Sequence, residues 1–75
     1  MWIKLNCNGT TKSVSFTKPQ ANIVERILNG ETIRRIGDEY YWPNQDRVFL
    51  RPLCGAIWAI NSAFNTDGGR TFFNI

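Results

Sequence analysis

Polar and apolar residues alternate along the first sixteen positions of the chain, as expected for an antiparallel hairpin with one buried face. Asn8-Gly9 lies at the centre of this segment and suits a type I′ turn, whose two central residues both need positive φ. A turn at this position pairs Cys7 with Thr10, Leu5 with Lys12, and Ile3 with Val14, and one face then carries Ile3, Leu5, Cys7 and Val14. The pattern therefore predicts a β-hairpin from Trp2 to Phe16.

The hydrophobic period then changes to that of a helix with a clear start and a clear end. Thr17 and Gln20 have the spacing of a capping box, in which each residue satisfies a free backbone N–H of the other. Asn29-Gly30 supplies the left-handed residue that commonly ends a helix. We predict a helix from about Lys18 to Leu28 with an apolar stripe formed by Ala21, Ile23, Val24, Ile27 and Leu28. Four polar side chains are left for solvent: Lys18, Asn22, Glu25 and Arg26.

A second hairpin is predicted around Gly37-Asp38, which is a suitable two-residue loop. Its register pairs Ile36 with Glu39, Arg35 with Tyr40, and Arg34 with Tyr41. Each arginine of this basic ribbon thus lies opposite a tyrosine, and stacking of the guanidinium on the ring would stabilise the ribbon. Pro43 ends it, because proline cannot donate to a strand ladder.

A second helix is predicted from about Arg51 to Ala63, after a short apolar step at Val48-Phe49-Leu50 that is either a bridging strand or a lead-in. Its buried positions follow the helical period: Leu53, Ala56, Ile57, Ile60, Ala63 and Phe64. Gly55 lowers the local helix propensity, which suggests that another backbone approaches closely there.

Residues 65–69 form a turn, and Arg70 to Ile75 form a final strand in this interpretation. The predicted fold is therefore one α+β domain over residues 1–75, in the order ββ-α-ββ-α-β. Its two helices pack on small antiparallel ribbons, in a winged-helix-like arrangement.

The composition limits the chemistry available to this chain. Histidine is absent, which removes the commonest general base and metal ligand, and no nucleophile has a suitable base beside it. Cys7 and Cys54 have neither C-x-x-C nor zinc spacing, so no metal site or cofactor is expected. We predict that the chain is not an enzyme and has no catalytic residues, and no small-molecule substrate is evident.

Two further features bear on location. No apolar stretch is long enough to span a membrane, and Met1-Trp2-Ile3-Lys4 does not begin an apolar leader. We therefore expect a cytoplasmic protein with reduced thiols. The net charge of +3 gives only a weak attraction to polyanions.

Three segments carry a resemblance to a known group of proteins: T-K-P-Q-A at the first helix, N-G-E-T-I-R-R-I-G-D-E-Y-Y-W in the ribbon, and V-F-L-R-P before the second helix. Together they cover roughly residues 16–64 and resemble small phage or prophage-encoded proteins with a winged-helix-like order of elements. The resemblance implies either nucleic-acid binding or the use of the same scaffold for protein contacts.

The second helix offers the candidate protein interface. Trp58 falls outside its buried stripe, one turn after Cys54 and close to Gly55 and Ala59. Either the N-terminal hairpin or the final strand covers this face, or a partner protein or a second copy of the chain does. We favour a protein-binding module, with a homodimer as one form of contact, because Trp is enriched at interface anchors and a two-fold dimer needs one self-complementary patch.

Nucleic-acid binding is the alternative function. Beyond Arg51 the second helix has no basic residue, so it is poorly equipped to read bases. Contact would instead be made to phosphates through the basic ribbon and its surroundings, by Arg34, Arg35, Tyr41, Arg47 and Arg51. The ten aromatic side chains fit a compact core better than a base-stacking platform.

Overall fold

Eight secondary-structure elements follow one another along residues 1–75, all of which the computed structural model describes. They are β1 (Trp2–Cys7), β2 (Thr10–Ser15), α1 (Lys18–Leu28), β3 (Arg34–Ile36), β4 (Glu39–Tyr41), β5 (Arg47–Val48), α2 (Leu50–Phe64) and α3 (Gly69–Phe73). β1 and β2 form one antiparallel sheet, and β3, β4 and β5 form a second in that order. The predicted α+β class is confirmed, but the chain ends in a helix and not in a strand.

The N-terminal hairpin has the predicted register. Cys7 pairs with Thr10 across the turn, and Asn8 and Gly9 have φ values of 52° and 84°. Leu5 and Val14 point into the core, whereas the opposite face of the hairpin is exposed. The hairpin is also attached to α2, because Lys12 Nζ donates to the backbone oxygen of Ala63 at 2.9 Å.

Helix α1 begins and ends where the sequence indicates. Thr17 and Gln20 form the capping box, and the backbone N–H of Thr17 donates to Gln20 Oε1 at 3.0 Å. Gly30 follows the helix with a φ of 94°, which favours glycine. The predicted stripe is buried at its centre, but Ile27 is only half-buried and Leu28 is exposed.

The three-stranded sheet confirms the register of the second hairpin, with Arg34 opposite Tyr41 and Arg35 opposite Tyr40. Of the two alternatives for the apolar step after it, the bridging strand is confirmed in part. β5 pairs with β4 through Tyr40–Val48 and Tyr41–Arg47, although Phe49 and Leu50 are not in the strand.

Arg26 joins the end of α1 to this sheet, so the prediction that its side chain is left for solvent is wrong. Its guanidinium donates twice to Glu31, from Nε to Oε2 at 2.9 Å and from Nη2 to Oε1 at 2.7 Å. It also lies 4.2 Å from the ring centroid of the buried Trp42, and Nη1 lies 4.0 Å from Asp46 Oδ2. One side chain thus contacts three parts of the chain.

Helix α2 contributes its inner face to the core, through Leu53, Ala56, Ile57 and Ile60. Two of the positions that we expected to bury, Ala63 and Phe64, are only half-buried near the end of the helix. The remaining core residues come from β1, β2, α1, β5, α3 and the segments between elements: Leu5, Val14, Phe16, Ala21, Ile23, Val24, Ile33, Trp42, Val48 and Phe73.

Gly55 lies where α2 meets α1, and the close approach there involves a side chain, not a second backbone. A Cβ at this position would collide with the amide nitrogen of the Gln20 side chain, whose oxygen caps α1. The glycine therefore leaves room for the residue that starts the neighbouring helix.

The last element is helical because of contacts that are remote in sequence. Asn61 Oδ1 on α2 accepts the backbone N–H of Gly69 at 2.7 Å and so satisfies a free donor of the first turn of α3. Phe73, which is only 1% exposed, enters the core from α3, and Asn74 ends the helix with a φ of 58°. Aromatic residues favour a strand locally, but here tertiary packing overrides that preference.

Replacing Gly69 by Ala should destabilise the protein by about 1–3 kcal/mol, the usual cost of overpacking. A Cβ at Gly69 would lie 2.5 Å from the backbone oxygen of Ile57 and 2.7 Å from Asn61 Oδ1, so α3 would have to move away from α2. Chemical denaturation with fluorescence detection measures the change.

Gly68→Ala is the matched control. Its Cβ would meet Thr66 at 3.4 Å and Cys7 Sγ at 3.5 Å, which are ordinary contacts. We expect a change within about 0.5 kcal/mol for this variant. Equal destabilisation by the two substitutions would contradict the close contact between α2 and α3.

The bond from Arg26 should make stability depend on the protonation of Glu31. The hydrogen bonds from Arg26 hold the pKa of this carboxyl below its ordinary value of 4.5. The folded state thus favours the carboxylate, and the resulting stability is present above pH 4.5 and is lost as the pH falls through the lower folded-state pKa. The unmodified chain should melt at a higher temperature than Glu31→Gln at pH 7, and the difference should disappear in acid.

Glu25→Gln serves as the control for this experiment, because Glu25 is exposed on α1 and has no ion pair. Its effect on the melting temperature should be smaller than that of Glu31→Gln at pH 7. A difference in melting temperature between the unmodified chain and Glu31→Gln that stayed constant down to pH 2 would contradict a stabilising role of the Glu31 carboxylate.

Candidate interaction surface

Trp58 lies at the centre of the outer face of α2, directly opposite the core. Its side chain is 70% exposed, so the expectation that the hairpin or the final strand covers it is wrong. The outer face of the helix has no cover within the chain. The other expectation, that a partner or a second copy covers this face, stays a prediction.

The residues around Trp58 follow from helical spacing. Cys54 and Ser62 lie one turn to either side, and Arg51 lies two turns before; all three are exposed. Beyond the end of the helix, Asp67 shares a shallow depression with Trp58, which is also lined by Asn61, Ser62, Asn65 and Thr66. We call the surface formed by Arg51, Cys54, Trp58, Ser62 and Asp67 the Trp58 face.

The four residues predicted for the protein interface are only partly brought together. Cys54 and Trp58 share the Trp58 face, and both cysteines of the chain are free thiols. Gly55 is turned towards Gln20 on α1, and Ala59 is half-buried against the core. These two residues lie at the margin of the exposed surface and leave its centre to Trp58.

Asp67 is the residue of this surface that sequence reasoning missed, because its D-G-G context is typical of an ordinary turn. The structure places it at one end of the Trp58 face, with Arg51 at the other. Neither residue takes part in an ion pair or a side-chain hydrogen bond within the chain. Only the fold brings this carboxylate to the Trp58 face, so no local sequence pattern indicates it.

The basic ribbon forms a second exposed surface on the three-stranded sheet. Arg34 is opposite Tyr41 and Tyr41 is opposite Arg47, so the three side chains form a row on one face. A carboxylate lies within this row, because Glu39 accepts the Tyr41 hydroxyl on Oε2 and Arg47 Nη2 on Oε1 at 2.6 Å. Half of its basic charge is therefore already neutralised within the chain.

The other predicted nucleic-acid residues are not part of this row. Arg35 points away from it, and its Nε donates to the backbone oxygen of Gly37 at 2.9 Å. Arg51 lies on the first turn of α2. The expected stacking of Arg34 and Arg35 on the tyrosines is absent, since the two cation–π contacts of the structure are Arg26 over Trp42 and Lys12 over Phe64.

A depression between the hairpin and the two C-terminal helices has a volume of about 430 Å³. It is lined by Leu5, Asn6, Cys7, Asn8, Ile60, Phe64, Thr66, Gly68, Thr71 and Phe72. The lining has no Asp, Glu, Lys or Arg residue, so the depression holds no carboxylate or basic side chain. No group of three or more Cys, Asp or Glu residues is arranged to hold a metal ion.

α2 is the longest helix, at 15 residues, and none of the helices combines the length and the apolar character that a membrane span requires.

Comparison with protein-family models, with curated proteins and with solved structures gave no match for this chain. The resemblance to small phage proteins therefore stays a prediction from the sequence segments that carry it.

The bond between Tyr41 and Glu39 should be visible in a pH titration. Hydrogen bonding to the Glu39 carboxylate raises the pKa of Tyr41 above its ordinary value of 10.0, because ionisation of the phenol would break that bond. With Tyr40 replaced by Phe, absorbance at 295 nm reports Tyr41 alone. Glu39→Gln should shift this titration to lower pH.

Asp38→Asn is the matched control, since Asp38 is the neighbouring carboxylate and has no bond to the Tyr41 hydroxyl. It should change the Tyr41 titration less than Glu39→Gln does. An unchanged titration in Glu39→Gln would mean that Glu39 is free and that the basic ribbon has more available charge than the geometry indicates.

Proposed function

We propose that this chain is a small non-enzymatic protein-interaction module that self-associates through the Trp58 face. The observation that carries the proposal is the exposure of Trp58 at the centre of a helix whose opposite face is fully used by the core. Burial of a large apolar side chain contributes on the order of 1.5–3 kcal/mol, which is available only if another molecule covers it.

The surroundings of Trp58 favour it over the other exposed tryptophan. Trp2 is 74% exposed, but it lies on the outer hairpin face among polar side chains, directly opposite Ser15. Trp58 has small neighbours in Cys54 and Ser62, which leave its ring accessible to a partner. Accessible aromatic anchors with compact surroundings are typical of interface hot spots.

Two arguments support a binding role over a catalytic one. The groups with shifted pKa values are Arg26, Glu31 and Tyr41, and each shift is caused mainly by a side-chain hydrogen bond, between Arg26 and Glu31 or between Tyr41 and Glu39. No charged side chain is buried, and the depression between the hairpin and the C-terminal helices has no charged lining. The larger depression beside the basic ribbon, of about 470 Å³, has Arg34 as its only charged residue. Perturbed groups that converge in a cleft, which are typical of active sites, are thus lacking.

The basic ribbon gives weaker support for nucleic-acid binding. Glu39 forms an ion pair with Arg47. It thereby places negative charge within the row of Arg34, Tyr41 and Arg47. A phosphate approaching this row would meet that carboxylate and would have to compete with it for Arg47.

Light scattering tests self-association. The unmodified chain should show a mass near twice that of the 8.6 kDa protomer at high concentration, and Trp58→Arg should reduce it to that of the protomer. A buried charge without a partner strongly opposes association, whereas an exposed position should tolerate it in the monomer.

Trp2→Arg is the matched control, because it makes the same change at the other highly exposed tryptophan. It should leave the mass of the assembly unchanged. A monomeric mass for the unmodified chain at the highest concentration would overturn self-association, and loss of assembly in both variants would show that the contact is not specific to the Trp58 face.

A further inference from the structure

The two unpaired charges of the Trp58 face lie at its opposite ends. Arg51 is seven residues before Trp58 and Asp67 is nine residues after it, and both side chains are exposed. Because one end of this surface is basic and the other is acidic, a second copy in the opposite orientation would place its acidic end beside the basic end of the first, and the reverse. The inference from this arrangement rests on the proposed function.

Each of these charges also lies at the unfavourable end of α2. The N-terminus of a helix carries partial positive charge and its C-terminus partial negative charge. Arg51 is in the first turn, which has no acidic residue, and the last turn has no basic residue. Asp67 follows just after the C-cap residue Asn65. Within one chain, therefore, no residue of α2 complements its dipole, and the only cation bonded near its C-terminus is Lys12 of the hairpin, on the Ala63 backbone oxygen.

We infer that the second copy packs its own α2 antiparallel to this one, across a two-fold axis near Trp58 and Ala59. This arrangement places Arg51 of each copy beside Asp67 of the other. It also brings a carboxylate to each N-terminus and a guanidinium to each C-terminus, so both helix dipoles are complemented. The contact is isologous and closed, which limits the assembly to a dimer.

The centre of the contact follows from the same axis. Trp58 of one copy meets Trp58 of the other, and Cys54 lies opposite Ser62. These small side chains leave room for the two rings, and a shallow crossing angle of about 20° keeps the ends of the helices close enough for the ion pairs. Leu50, which is 54% exposed, lies at the end of the same ridge as Cys54 and Trp58 and adds apolar area.

A parallel arrangement is disfavoured by the same charges. It would place Arg51 beside Arg51 and Asp67 beside Asp67, and it would align the two helix dipoles side by side. Charge complementarity therefore selects the orientation, while Trp58 supplies the apolar contact.

Reversing the charges of Arg51 and Asp67 tests the antiparallel orientation of the two α2 helices separately from the apolar contact at Trp58. Arg51→Glu alone places two acidic residues together at both ends of the dimer, and Asp67→Arg alone places two basic residues together. Each variant should raise the dimer dissociation constant by about tenfold or more, as measured by sedimentation. An equimolar mixture of the two variants should recover a mixed dimer of nearly unmodified affinity, because every pair is then of opposite charge.

The outcomes distinguish this inference from the proposed function. If Trp58→Arg dissociates the dimer but the two charge variants bind as tightly as the unmodified chain, the antiparallel pairing is overturned and self-association through Trp58 stands. If both variants are weakened and their mixture does not recover, the pairing of Arg51 with Asp67 is equally overturned. A monomeric unmodified chain would overturn both.

Disulfide trapping gives a second measurement that does not depend on charge. With Cys7→Ser to remove the other thiol, Ser62→Cys should allow rapid cross-linking by copper-phenanthroline, because Cys54 then faces a thiol at position 62 of the second copy. Cys54 alone should not cross-link, since two Cys54 residues would be about 12 Å apart along the axis, beyond disulfide reach.

Ser13→Cys is the matched control for the trapping experiment, because Ser13 is exposed on the outer face of the hairpin. It should give no more cross-linked dimer than Cys7→Ser alone. Efficient cross-linking through Cys54 without a second introduced thiol would indicate a different arrangement and would overturn the antiparallel dimer.

Discussion

Burial of the inner face of α2 is the constraint on which the other elements depend. Leu53, Ala56, Ile57 and Ile60 form the side of the core against which α1, β2 and α3 pack. Each of these neighbours is fixed by a specific polar or steric fit: α1 by Gln20 against Gly55, β2 by Lys12 on the Ala63 backbone oxygen, and α3 by the Gly69 amide on Asn61. Because these contacts use only one side of the helix, its outer side remains open.

The three-stranded sheet is held to the rest of the fold by Arg26, which makes both a polar and an apolar contact. Arg26 covers the buried Trp42 and binds Glu31 through two hydrogen bonds. Exposed ion pairs contribute little to stability by themselves. A bidentate arginine–carboxylate contact that also covers an aromatic ring, however, favours a single geometry of the two side chains. The role of Arg26 is therefore to position the sheet. In the same way Glu39 orders the basic ribbon and reduces the charge that the ribbon presents to a polyanion.

Local signals that act over a few residues gave reliable predictions. The turn at Asn8-Gly9, the capping box of Thr17 and Gln20, and the loop at Gly37-Asp38 each satisfy a backbone requirement that depends on neighbours in sequence, and all three are confirmed. The final strand was wrong because the helix at Gly69–Phe73 depends on Asn61 and on the core around Phe73. Arg26 was misplaced for the same reason, since Trp42 and Glu31 reach it only after the chain has folded.

The sequence by itself determined the α+β class, the registers of the two hairpins and the first helix, and it identified Trp58 as a residue outside the buried stripe. It also contains no histidine, which is the commonest general base and metal ligand. Only the tertiary structure decided that Trp58 has no cover within the chain, that Asp67 lies at the far end of its surface from Arg51, and that Glu39 occupies Arg47. The physical reason is range: backbone conformation follows from adjacent residues, whereas exposure and charge pairing depend on which distant segments the core brings together.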